Sequence, residues 1–134
     1  MGLSEEEKKS LVNYRLEKAK ETFAEIPILI ENKLWRNAAN RLYYACFYAA
    51  MALLLKDGYT ARTHSGVKAL LGMYYVRTEI ISKELNEAYQ KMFNLRQTGD
   101  YDDMVIITED DVMPLVASAE KFITEIEKLI NKNQ

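Results

Sequence analysis

The stretch Leu95-Arg96-Gln97-Thr98-Gly99-Asp100-Tyr101 holds the residues best suited to chemistry. A guanidinium is a planar fork of donors that fits a phosphate or a carboxylate. Here it stands one turn before an expected helix end, with Asp100 and Tyr101 following. The plain alternative is that Arg96 neutralises the helix C-terminus or pairs with Asp100. A second cluster, Ala61-Arg62-Thr63-His64-Ser65-Gly66, sets an imidazole beside an arginine at a helix start, which suits an anion and a proton transfer. Its plain alternative is local hydrogen bonding. The candidate ligand-binding residues are therefore Arg62, His64, Arg96 and Asp100, and the candidate catalytic residues are Arg96 and Tyr101. Tyrosine, with an ordinary pKa of about 10, is a poor base without tuning. A third group, Tyr43, Tyr44, Phe47 and Tyr48 with Tyr74, Tyr75 and Tyr89, offers rings on which bases could stack. Its helical spacing within the most apolar segment points to core instead. Arg36 and Arg41, near the start of that segment, fit a solvated charge, a dimer contact or a ligand contact equally well.

These residues need helices to hold them. Ser4 with Glu7 three positions on is a capping box, and Val12, Leu16, Ala19 and Phe23 recur at helical spacing behind it. Pro27 removes a backbone donor and should kink this helix near Phe23 to Ile26, with continuation to about Asn32. A second helix is expected from about Leu34 to Lys56, stopped by Gly58. Residues 42–55 are apolar on every face, so this helix should be the buried centre with no spare solvent face. Thr63 can cap a third helix running to about Tyr75, and Ser82 a fourth ending near Gly99. Thr108 or Asp111 opens a fifth, with Pro114 favouring the later start. Residues 104–107 read as a connector packing onto the core. The fold class expected is all-α, an up-and-down antiparallel bundle of four to five helices in one domain. Short connections make neighbouring helices antiparallel. That rule puts His64 and Arg62 at the pole where the central helix ends, together with Arg96, Asp100 and Tyr101.

Composition closes off several function classes. Hydrophobic residues make up 49% of the 134 and charged residues 28%, a globular balance. The net charge of −2 argues against a protein that grips duplex nucleic acid along many phosphates, so any RNA contact should be local. One cysteine, Cys46, excludes an internal disulfide framework and reads as a small core residue; one histidine excludes a His-rich metal site. The sequence shows no phosphate-binding loop, Cys-x2-Cys pair or nucleophile elbow, so no cofactor and no metal are expected. The N-terminal run Ser4-Glu5-Glu6-Glu7-Lys8-Lys9 is no secretory signal, and the longest apolar run is too short to span a membrane, which makes the cytosol the simple location.

The blocks Trp35 to Leu54, then Gly58, then Thr63-His64-Ser65-Gly66-Val67, then Leu95-Arg96 with Asp100-Tyr101, resemble a HEPN domain over about Leu11 to Lys128. The order of the three blocks carries the resemblance. It implies a helical bundle that commonly forms a homodimer and works beside a small nucleotidyltransferase, often as toxin and antitoxin, with RNA or a nucleotide as ligand. Active members resemble metal-independent ribonucleases with an arginine, four to six residues of any type, then a histidine. Arg96 matches the arginine. The histidine would fall at 101 to 103, where this sequence has Tyr101, Asp102 and Asp103, so the chain departs from the pattern there. His64 belongs to a different block. The alternatives left open are a nucleotide- or RNA-binding partner of a nucleotidyltransferase, an active ribonuclease using Arg96 with Tyr101 or His64, and an adaptor without ligand.

Overall fold

A computed structural model describes residues 2–101 and 104–132. Among them are six α-helices and a π-helical turn, with no strand: α1 (Glu5–Ala24), α2 (Ile26–Glu31), α3 (Trp35–Lys56), α4 (His64–Leu71), the π-turn (Gly72–Val76), α5 (Lys83–Tyr101) and α6 (Glu109–Asn131). The all-α bundle follows from where the chain can start and stop helices. Ser4 and Glu7 exchange backbone and side-chain hydrogen bonds at the head of α1, at 3.1 and 3.0 Å. Pro27 sits in the first turn of α2, so α1 and α2 are one kinked helix. At the end of α3, Gly58 takes φ of 84°, and the Gly58 and Tyr59 amides return to the Leu55 and Leu54 carbonyls, a Schellman stop.

α3 packs against all the other helices. Ala38, Ala39, Leu42, Tyr43, Ala45, Cys46, Ala49, Ala50, Ala52, Leu53 and Leu54 are buried. The expectation that this helix has no solvent face is corrected: Tyr44, Phe47, Tyr48, Met51 and Leu55 are only half-buried and form one stripe at helical spacing. Cys46 is core, as expected, with its thiol pushed up by burial. The connector is divided in its role. Ile107 is buried, whereas Ile106 is 82% exposed. The later start expected for α6 is also corrected. The Asp111 carboxylate accepts from the Thr108 amide at 2.9 Å and hydroxyl at 3.1 Å, which anchors the earlier start and leaves Pro114 inside the helix.

The antiparallel expectation fails at one connection. His64 opens α4 beside the middle of α3, its ring 4.5 Å from that of Phe47, while the π-turn ends beside the end of α3, where the Tyr75 hydroxyl donates to Asp57 at 2.5 Å. Thus α4 runs parallel to α3. The segment 57–63 does not turn tightly. It doubles back along α3 over about ten residues of helix, roughly 15 Å, which seven extended residues span easily. Every later direction reverses: α5 begins near the end of α3 and runs antiparallel to it.

Candidate functional site

The reversal sends the end of α5 to the first turns of α3. Met92 Sδ lies 3.8 Å from Cys46 Sγ, the Arg96 guanidinium lies 5.2 Å from the Tyr43 ring centroid, and Asp100 accepts from Asn40 Nδ2 at 3.2 Å. The pole expected at the end of the central helix is therefore misplaced. His64 and Arg96 still meet, but over the N-terminal half of α3. Each stands against the same two rings: Arg96 is 5.2 and 5.5 Å from the Tyr43 and Tyr44 centroids, and the imidazole 5.6 and 5.7 Å. The closeness of the two is also electrostatic. His64 is held below its ordinary pKa by burial first and by the Arg96 charge second.

Arg96 is 7% exposed, one of two buried polar or charged residues among those described. A buried guanidinium normally has its donors matched by acceptors. Here Nε is 3.5 Å from Asp100 Oδ2, close enough for attraction but not aimed for a hydrogen bond, and it is sealed from solvent without an acceptor. The Nη groups are not sealed in this way, and no acceptor for them is found among the described residues. Attraction to rings supplies much of what holds the charge: Tyr43, Tyr44 and the exposed Tyr101 all lie within 5.7 Å. Asp100, shared with Asn40, orients the guanidinium without consuming its fork.

The other sequence candidates divide. Asp100 and Tyr101 stand with Arg96. Arg62 is exposed and enters no ion pair or hydrogen bond among the described residues. Residues Asp102 and Asp103, where the resemblance would seek a histidine, lie outside the described residues. The sequence reading assigned Tyr43 and Tyr44 to the core and did not single out Asn40. Tyr43 is fully buried and hydrogen-bonded to His64 Nδ1 at 2.7 Å. Tyr44 is flanked by Arg96 and by Arg41, whose guanidinium is 5.4 Å from its ring. Asn40 accepts from Arg41 at 2.7 Å through its oxygen and donates to Asp100 through its nitrogen. Residues 40, 41 and 44, three and four apart, share a helix face, which could have flagged them. Beside them a surface pocket of about 380 Å³ is lined by Glu25, Arg36, Asn40, Arg41 and Asp100, and Arg41 faces Glu25 at 3.9 Å. Arg36 donates to the Val105 carbonyl and so ties the connector after α5 to α3. Among the described residues no cluster of His, Cys, Asp and Glu could hold a metal ion, and no helix is long and apolar enough to cross a membrane.

The arrangement is a short cationic strip on aromatic rings, which can hold a phosphate and stack a base. The HEPN domain profile matches residues 12–129. A UPF0332 protein of Thermotoga maritima is 40% identical over 92% of this chain and 94% of its own length. Two proteins of Methanocaldococcus jannaschii, each named "Putative toxin", are 35% identical over 87% of both chains and 31% identical over 88% of this chain and 81% of the relative.

Proposed function

The chain belongs to the HEPN domain family, and from that premise we propose that it binds RNA or a nucleotide through Arg96, as the toxin-like member of a pair with a nucleotidyltransferase. The observation that carries the binding is the buried guanidinium of Arg96, whose Nε has no acceptor and whose Nη groups are still open. A bidentate phosphate contact completes what the chain leaves unfilled. Arg41 and Arg36 extend the strip along the neighbouring pocket, so successive phosphates of a single strand fit it better than a lone anion does. Tyr44 and Tyr101 offer rings to a base. The toxin-like role and the nucleotidyltransferase partner rest on the family and on the names of the Methanocaldococcus relatives. The cytosol is where such a pair would act.

The half-buried stripe from Tyr44 to Leu55 supports a homodimer, since a second copy would cover it under two-fold symmetry. A second reading, ribonuclease action, is favoured by His64 standing beside Arg96, where its ring could help hold the scissile phosphate or donate a proton to the leaving oxygen. The binding reading is tested by fluorescence anisotropy with a labelled single-stranded RNA oligonucleotide. Arg96→Met should weaken binding by about tenfold to a hundredfold, the worth of one or more charge-assisted hydrogen bonds. Unchanged affinity would remove Arg96 from the site. Loss of intact RNA over time with wild type, but not with Arg96→Met, would select the ribonuclease reading.

A further inference from the structure

We propose that Tyr43 is a positioning residue: its hydroxyl donates to His64 Nδ1 and so fixes the imidazole as the Nε2–H tautomer, a neutral donor to the same phosphate that Arg96 takes. The inference rests on the binding reading above and says what the histidine does there.

The direction of the hydrogen bond follows from burial. Tyr43 is fully buried and its oxygen is 2.7 Å from His64 Nδ1. If the imidazole donated instead, the phenolic hydrogen would need another acceptor. The hydroxyl it could reach is that of Tyr89, whose ring is 5.7 Å away, and the buried hydrogen of Tyr89 would then be left without an acceptor among the described residues. A buried hydroxyl hydrogen left without acceptor is costly, so the phenol donates and Nδ1 accepts. A neutral imidazole carries one proton, which then sits on Nε2. Nε2 makes no hydrogen bond among the described residues, and His64 is only half-buried, so this donor is free for a ligand.

The charges around the ring keep it in this form. From α3 it faces Tyr43, Tyr44 and Phe47, from α5 the Arg96 cation, and on its own helix Lys68 stands over Phe93, 4.6 Å from the ring centroid. No carboxylate is within this set to favour the imidazolium. Burial pushes the Tyr43 phenol up to about 12, so it stays a donor across the working range. His64 is lowered by burial and by Arg96, so it is neutral at neutral pH. With Nδ1 occupied and Nε2 protonated, the ring has no free lone pair with which to take a proton from a ribose hydroxyl. The histidine helps hold phosphate; it is not a general base.

His64 is the chain's sole histidine, so its imidazole nitrogens can be read without assignment by long-range proton–nitrogen correlation on uniformly labelled protein. At neutral pH the spectrum should show Nε2 protonated and Nδ1 as acceptor. Tyr43→Phe should convert it to a mixture of tautomers. It should also weaken the labelled RNA by about threefold to tenfold, the worth of one neutral hydrogen bond. His64→Gln, whose amide nitrogen stands where Nε2 stood, should bind RNA within about threefold of wild type, less than one such hydrogen bond is worth. His64→Asn, which places its amide at Nδ1, should bind as weakly as Tyr43→Phe or worse. A wild-type spectrum with Nδ1 protonated overturns the proposal, as does a Tyr43→Phe protein with unchanged tautomer and unchanged affinity. Arg96→Met separates the two levels. If it binds RNA like wild type, the binding reading falls, while the tautomer spectrum still judges the Tyr43–His64 bond.

Discussion

Tyr89→Phe removes one oxygen atom and nothing else from beneath the site. The Tyr89 ring is fully buried, stacked on Phe122 at 5.2 Å and 17°, and tilted against Tyr43 at 5.7 Å. Its hydroxyl is sealed from solvent and makes no well-formed hydrogen bond, the Tyr43 hydroxyl being the polar group it faces. Burial pushes this phenol well above its ordinary pKa, with Tyr43 adding to the effect, so it is neutral at any accessible pH. A buried hydroxyl without a partner costs about 1–3 kcal/mol of desolvation that folding never recovers. Phenylalanine keeps both ring contacts and leaves a gap smaller than a methyl group, which should cost under about 1 kcal/mol. The balance is a gain of about 1–2 kcal/mol. For a chain of this length that raises the melting temperature by roughly 3–10 °C. Calorimetry and urea unfolding should agree, with the dependence on denaturant unchanged. A lower melting temperature would mean the hydroxyl has a partner after all. Tyr43 would be that partner.

Gly99→Ala places a Cβ 2.5 Å from Ile107 Cδ1, a buried contact; overpacking should outweigh the gain in helix propensity and cost about 1 kcal/mol in urea unfolding, and a stabilised variant would refute the seating of Ile107 under α5. Light scattering should give a mass twice the 15.5 kDa of one chain, and Tyr48→Glu should halve it; a wild-type mass near one chain would contradict the stripe on α3 as a dimer face. His64 has a folded pKa below its unfolded value, so the neutral ring's contribution to stability is complete above the unfolded pKa and declines as pH falls through the folded one. The melting temperature of His64→Gln should lack that decline, and parallel profiles for the two proteins would show His64 does not titrate as described.

Much of the architecture was readable because it rests on local chemistry. The Ser4–Glu7 box, the Pro27 kink and the Gly58 stop each act within a few residues, and each lies where the sequence put it. Pro114 misled because the Asp111 carboxylate at Thr108 outweighs the lost donor in the next turn. The direction of α4 was not readable. Nothing in 57–63 says whether seven residues turn or run back, yet that choice reverses α5 and moves Arg96 to the other end of α3. Arg96 with Asp100 was visible as an i,i+4 pair on one helix. The ring beneath them was not, because Tyr43 sits in a run apolar on every side, where a tyrosine reads as core and its hydroxyl goes unnoticed. The half-exposed stripe on α3 was hidden for the same reason. It shows only once the helices packed against α3 are placed.

The central claim is that Arg96 receives a phosphate. A crystal structure of the protein with a short single-stranded RNA bound tests it most directly. The expected result is a backbone phosphate oxygen at about 2.7–2.9 Å from Arg96 Nη, in the range of charge-assisted bonds, with His64 Nε2 on the same phosphate. RNA seated elsewhere, with the Arg96 guanidinium still lying unfilled against Tyr43 and Tyr44, would contradict it.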